Sequence, residues 1–174
     1  KGFHCYPRTN VMKHLLEDNI ALITNRQCQT VNYQHTFITN KPNDLHITET
    51  ANANPYTFPL YLYPDQAGQQ ELGQSDERKP NLNPKIVKQI AKKLGLTFVN
   101  EKEGEGNVCF ANSSELRAEF KTSFAPIDIL DYIYAVLHSP TYREKYKEFL
   151  KIDFPRVPYP KDAATFGKLV KLGG

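Results

Sequence analysis

The hydrophobic pattern changes period partway along the chain, and that change constrains the fold more than any other feature. Between residues 20 and 63 the apolar residues fall in short runs with strand-like alternation. From Pro126 onward they recur at helical spacing. Ile20–Thr24 is a short apolar run, His35–Thr39 (HTFIT) and Leu45–Thr50 alternate, and Tyr56–Tyr63 (YTFPLYLY) is the strongest strand. Pro59 inside that strand sends it to a sheet edge or a bulge, because proline has no N–H to give a ladder. Thr9-Asn10 reads as the cap of an amphipathic helix carrying Val11, Met12, Leu15 and Leu16 and ending near Asp18-Asn19. Pro84 opens a helix over Lys85–Leu94 that Gly95 closes. Leu96–Val99 and Val108–Phe110 read as short strands.

The C-terminal third is helical in pattern. Pro126–His138 sets Ile127, Leu130, Ile133, Tyr134 and Leu137 on one face, and Ser139-Pro140 breaks it. A second helix over Thr141–Lys151 turns Tyr142, Tyr146, Phe149 and Leu150 inward. Tyr134, Leu137, Tyr146 and Phe149 are expected in the core. Phe154–Pro160 (FPRVPYP) is a stiff connector, and a last helix over Asp162–Leu172 stops at paired glycines. The expectation is one α+β domain over 1–174. A small, mainly β portion at about 20–110 carries polar loops, and helices at about 125–172 brace it.

At 174 residues, 40% hydrophobic and 24% charged, the chain is globular rather than disordered. No apolar run nears the roughly 18 residues of a membrane span. It opens without an initiator Met or an apolar signal segment, as a piece of a longer protein would. A net charge of +3 and a pI near 8.7 permit a polyanionic partner without demanding one. Cys5, Cys28 and Cys109 are odd in number and widely spaced, which indicates neither a disulfide framework nor a zinc site and suits a reduced cytoplasm.

Catalytic motifs are weak. Asn54-Pro55-Tyr56 resembles the Asn-Pro-Pro-Tyr motif of amino-methyltransferases but lacks one proline, and no glycine-rich loop for S-adenosylmethionine accompanies it. Asp65 with Glu77 and Lys79 fits the letters of a Mg²⁺-dependent PD…ExK nuclease, whose carboxylates hold the metal. That chemistry needs a rigid strand, whereas Gln74–Asn81 is polar, proline-stopped and without strand signal. His4, His14, His35, His46 and His138 reach no metal-ligand spacing.

The polar loop Asn25–His35 offers different chemistry. Arg pairs bidentately with guanine O6 and N7, and Asn or Gln with adenine N6 and N7. Arg26, Gln27, Gln29, Asn32, Gln34 and His35 therefore form a vocabulary for base edges, while Lys41, Arg78 and Lys79 suit phosphates.

The stretches PRTNVMKHLLEDNIALITNRQ, HTFIT, FPLYLYP and NLNPKIV carry a resemblance that spans nearly the whole chain, and FAPIDILDYIYAVLHSPTYREKYKEFLKIDFPRVPYP carries it above all. The chain resembles the C-terminal specificity domain of Type ISP restriction–modification enzymes and related fused nuclease–methyltransferases. The resemblance implies a domain that recognises a sequence in double-stranded DNA and is not itself an enzyme. It would follow a γ-type adenine-N6 methyltransferase domain, its partner in the same polypeptide. S-adenosylmethionine and Mg²⁺ would belong to those other domains, so the chain itself is expected to carry no cofactor and no metal, and no membrane is expected. The family assigns no catalytic residue to this part, and its base-contacting loops vary, so the residues named above rest on their chemistry alone. The alternatives are the Asp65, Glu77 and Lys79 nuclease and a module that docks protein domains without touching DNA.

Overall fold

The computed structural model describes residues 8–28, 33–44, 47–48, 55–64, 77–101 and 121–174. The chain opens with a short helix, α1 (Thr9–Met12), that tightens into a 3-10 turn over Lys13–Leu15. Arg8 rather than Thr9 is the capping position, and no side chain caps it. The helix gives way to β1 (Ala21–Asn25), β2 (Thr36–Thr39) and β3 (Pro55–Pro59), which form an antiparallel sheet in the order β2-β1-β3. β1 lies in the centre and all five of its residues are buried, so both faces of the sheet are covered there. Pro59 ends β3, which is an edge strand in this sheet, as a residue without a ladder donor requires.

Asn19 ties these elements together. Its side-chain amide donates to the carbonyls of His14 and Tyr61 at 2.9 and 2.8 Å, and its Oδ1 accepts from the N–H groups of Ile20 and Tyr61. It is buried, and all of its polar capacity is used.

Past Leu60, β4 (Tyr61–Leu62) pairs with β5 (Lys79–Pro80). The sequence pattern gives no strand for that second segment. Pairing with Leu62 and the bonds of Asn81 to Pro59 and Leu60 impose it, overriding local propensity. Helix α2 (Pro84–Leu94) agrees closely with its sequence signals: the Asn83 side chain accepts from the Lys85 N–H, and Gly95 sits left-handed at φ 67°. Open space surrounds the position of a Cβ there, so Gly95→Ala should cost about 1 kcal/mol through backbone strain alone, measurable by urea unfolding. β6 (Thr97–Phe98) and β7 (Ser123–Phe124) form a short parallel pair. The expected strand at Leu96–Val99 is thus shortened, while those at Leu45–Thr50 and Val108–Phe110 lie largely or wholly outside the described residues.

Helix α3 (Pro126–His138) runs through the middle of the molecule. Leu130, with Ile127, Ile133 and Tyr134, packs on Leu22, Leu60 and Tyr61 of the sheet layer. Ile129, Tyr132, Val136 and Leu137 pack into a larger core with Val87, Ile90, Phe124, Phe166 and Val170. The single apolar face expected from the sequence is therefore one of two. A helix sandwiched between layers is apolar on most sides, and the period alone cannot show both. The single helix expected over Thr141–Lys151 is two: α4 (Pro140–Lys145) and α5 (Lys147–Leu150), interrupted at Tyr146. Of the four residues expected in the core, Leu137 is fully buried, while Tyr134, Tyr146 and Phe149 are only partly so. Tyr142 and Leu150 supply the deep contacts instead. Helix α6 (Ala163–Gly173), capped by Asp162, lies against α3 and runs through the first of the paired glycines. A Cβ at Gly173 would collide with the Asp131 carbonyl of α3, so the glycine serves close packing as well as helix termination.

These elements make an α+β domain: small sheets, antiparallel except for the β6–β7 pair, carrying loops and braced by helices. Between the sheet and α3 lies an apolar cavity of about 530 Å³ bordered by Leu22, Tyr56, Phe58, Ile129, Ile133 and Phe154.

Candidate nucleic-acid interface

The polar segment after Asn25 is the connection of the β1–β2 hairpin, and its described residues alternate between anchors and exposed side chains. Cys28 is buried, and its Sγ lies 3.2 Å from Nδ1 of half-buried His35. Tyr33 is buried too, its hydroxyl between those of Thr24 and Thr36 at 2.6 and 2.8 Å. Burial raises the Tyr33 pKa and lowers that of His35, so the phenol and the imidazole are both neutral near pH 7. Cys28 and Tyr33 belong to the main core, which fixes the base of the loop. Arg26, Gln27 and Gln34 remain exposed. Gln29 and Asn32 lie outside the described residues.

The helical layer props this end of the sheet. His138 Nδ1 accepts from Arg143 Nη2 at 3.1 Å, which leaves Nε2–H to donate to the Thr36 carbonyl at 3.2 Å. Burial first, then the Arg143 charge, lowers the His138 pKa, in keeping with that neutral tautomer. Arg143 also donates to the Leu137 carbonyl at 2.6 Å and stands 5.9 Å from the Tyr33 ring.

Around Arg26 gather three arginines that the sequence pattern does not single out: Arg8, Arg143 and Arg156. Arg8 donates to the Pro55 carbonyl and stands 5.5 Å from the Tyr56 ring. Arg26 and Arg156 share Asp153, at 3.4 and 3.8 Å. The Phe154 N–H foremost, and Arg26 after it, hold the Asp153 carboxyl below its ordinary pKa. Among the described residues Asp153 is the only carboxylate paired with Arg8, Arg26, Arg143 or Arg156. Among the described residues, four arginines with one paired carboxylate thus lie toward the end of the sheet where the polar loop emerges. These arginines are scattered along the sequence, so only the antiparallel pairing of β1 with β2 and β3, and the docking of α3 and α4, could bring them together.

The proposed phosphate contacts separate from this group. Lys41 follows the far end of β2, beyond the Thr39–Ala21 pair. Lys79 pairs opposite Leu62, beyond the Pro59–Ala21 pair. Both are exposed, at the opposite end of β1 from Arg26, about 16 Å away by the strand rise. Arg78 is engaged on every side. Its Nε and Nη2 donate to the Glu101 carboxylate at 2.9 and 3.0 Å, and its Nη1 donates to the Asp18 carbonyl and the Tyr63 hydroxyl. Its guanidinium also covers the Tyr61 ring at 4.2 Å. The Glu101 hydrogen bond foremost raises the Arg78 pKa, and burial pushes the Tyr61 phenol up to about 12. This geometry makes Arg78 a clamp between Asp18, β4 and residue 101.

Of the nuclease-like residues, Glu77 and Lys79 are exposed and Asp65 lies outside the described residues, as does Asn54 of the Asn-Pro-Tyr stretch. Among the described residues no group of three or more His, Cys, Asp or Glu could hold a metal ion, and no helix is long and apolar enough to cross a membrane.

The sequence model of the family described as "Type ISP C-terminal specificity domain" matches residues 1–174. No curated protein matches the chain. Among solved structures, the chain is similar to one from a cryoEM structure of a DrdV–DNA complex. The TM-score is 0.58 at 21% identity, over 95% of this chain and 12% of that one.

Proposed function

The chain belongs to the Type ISP C-terminal specificity domain family, and on that premise we propose that it reads a specific sequence in duplex DNA. The observation that carries this reading is the arginine-rich end of the sheet, where Arg26, Gln27 and Gln34 stand exposed on a loop anchored by Cys28 and Tyr33. Base readout needs donors and acceptors held on a rigid support, and the arginines around them supply the electrostatic attraction. The similarity to a structure from a DrdV–DNA complex supports the same partner.

In this reading the Arg26–Asp153 pair is exchanged for a base edge or phosphate. Both side chains are substantially exposed, so the pair is weak and screened by salt. Gln29, Asn32 and His35 are assigned to the same reading loop, His35 through the ring nitrogen that does not face Cys28. Lys41 and Lys79 take phosphates at the other end of the sheet, and Arg78 positions that end rather than contacting DNA. The chain acts without its own catalytic residue or cofactor, in the cytoplasm, as the specificity part of a longer restriction–modification protein. The adenine-N6 methyltransferase domain of that polypeptide, with its S-adenosylmethionine, and any Mg²⁺-dependent nuclease lie outside it.

The test is selection from a randomised duplex library by the full-length polypeptide that carries the chain. One enriched motif is expected, with affinity that falls steeply as salt rises. An unenriched pool with salt-independent capture would support a docking module instead. Mg²⁺-dependent nicking by the 174-residue chain, abolished by Asp65→Ala, would support the nuclease.

A further inference from the structure

We infer that the outer face of α2 is a second, sequence-independent DNA contact that seats phosphates of one strand. It rests on the DNA-recognition reading and adds a surface absent from the loop and its arginines. Lys85, Lys88, Lys92 and Lys93 are all exposed, with Gln89 among them, and the helix contains no acidic residue. By the helical repeat they share one face of about 140°, opposite Val87, Ile90 and Leu94, which enter the core. Among the described residues none of the four lysines has an ion-pair partner.

The arrangement is unfavourable for an isolated helix. Lys92 and Lys93 suit the last turn, where the helix dipole favours a cation, but Lys85 stands in the first turn, where it disfavours one, and Lys88 and Lys92 are like charges at i,i+4. A solvated face made for solubility mixes its signs, as α4 and α5 do with Glu144, Lys145, Lys147 and Glu148, and as Lys151 does in pairing with Glu148 at 2.8 Å. A polyanion against α2 relieves both penalties at once. Lysine is a compact point charge that suits phosphate rather than the paired atoms of a base edge. Lys85 and Lys92 lie about 10 Å apart along the axis, close enough to reach neighbouring phosphates of a DNA backbone. Buried Val87, Ile90 and Leu94 hold the face rigidly, and exposed Lys79 precedes it on β5.

The experiment uses the full-length polypeptide and a fluorescent mixed-sequence duplex, with anisotropy read across a salt series. Lys85→Gln, Lys88→Gln and Lys92→Gln together should weaken binding to every sequence by about tenfold or more at low salt. They should also lower the log–log salt slope by about 2 to 3. The selected motif should not change. The triple Lys→Arg protein should behave as the parent, and Lys88→Gln alone should lower the slope by about 0.9. Circular dichroism establishes that each variant is folded. An unchanged affinity and slope, in a protein whose motif still depends on Arg26 and Gln34, would overturn this inference alone and leave α2 as a solvent or protein-docking face. If neither set of substitutions alters DNA binding, the DNA-recognition reading falls with it.

Discussion

Phe166→Ala should destabilise the fold by about 3–5 kcal/mol, the largest stability effect expected of any substitution considered. Phe166 is 1% exposed on α6, with its ring 5.8 Å from Phe124 and 5.4 Å from Tyr132. Truncation leaves a cavity where β7, α3 and α6 meet, and rigid aromatic neighbours cannot collapse to fill it. Urea unfolding followed by far-UV circular dichroism measures the loss. Since Cys28 and Tyr33 belong to the same core, the polar loop should melt with it in one transition. A loss below about 1 kcal/mol would show that the helices do not unite the molecule as described. Leu172→Ala, at a residue 77% exposed on the same helix, should by contrast cost little.

The largest functional effect should come from the loop. Arg26→Ala, Gln27→Ala and Gln34→Ala together should abolish preference for the selected motif, each bidentate contact being worth about 1–3 kcal/mol of discrimination. Binding to mixed-sequence DNA should persist, because Arg8, Arg156 and the basic residues elsewhere remain available for phosphates. Mapping of selected or methylated sites with the full-length polypeptide reads the outcome. Arg78→Gln is the matched control: it removes the clamp between Glu101, Tyr61 and Asp18 and should lower stability without changing the motif. An unchanged motif in the loop variant would move base readout elsewhere, most directly to the segment between Asp65 and Asn83.

Much of the fold is legible in the local chemistry of the chain. Pro84 and Gly95 bracket α2 as their turn chemistry requires, with the Asn83 cap seen only in the structure, and Pro126 and Ser139-Pro140 bracket α3. Pro59 pointed to an edge or a bulge within Tyr56–Tyr63; the structure has β3 at an edge, but it splits that stretch after Pro59 into β3 and β4 of separate sheets. These are local effects, decided by backbone donors, fixed φ angles and side chains within a few residues. The polar loop was legible for the same reason, since amides and an arginine without hydrophobic period form neither helix nor sheet.

Other features came only from the tertiary structure, because they depend on contacts between distant segments. Lys79–Pro80 is a strand only because Leu62 offers it a partner. The second buried face of α3 exists only because α6 covers it, and the break at Tyr146 appears only in the packed helices. Arg78 looked like a free cation in sequence, but Glu101, 23 positions away, engages it. The arginines beside the polar loop follow the same logic: residues 8, 26, 143 and 156 have no relation in sequence. The hairpin and the helical layer bring them to one end of the sheet, while Lys41 and Lys79 go to the other. Sequence alone determined the chemical types available for reading and holding a polyanion. Tertiary structure decided which of them stand together, because charge acts over ångströms in space rather than positions along a chain.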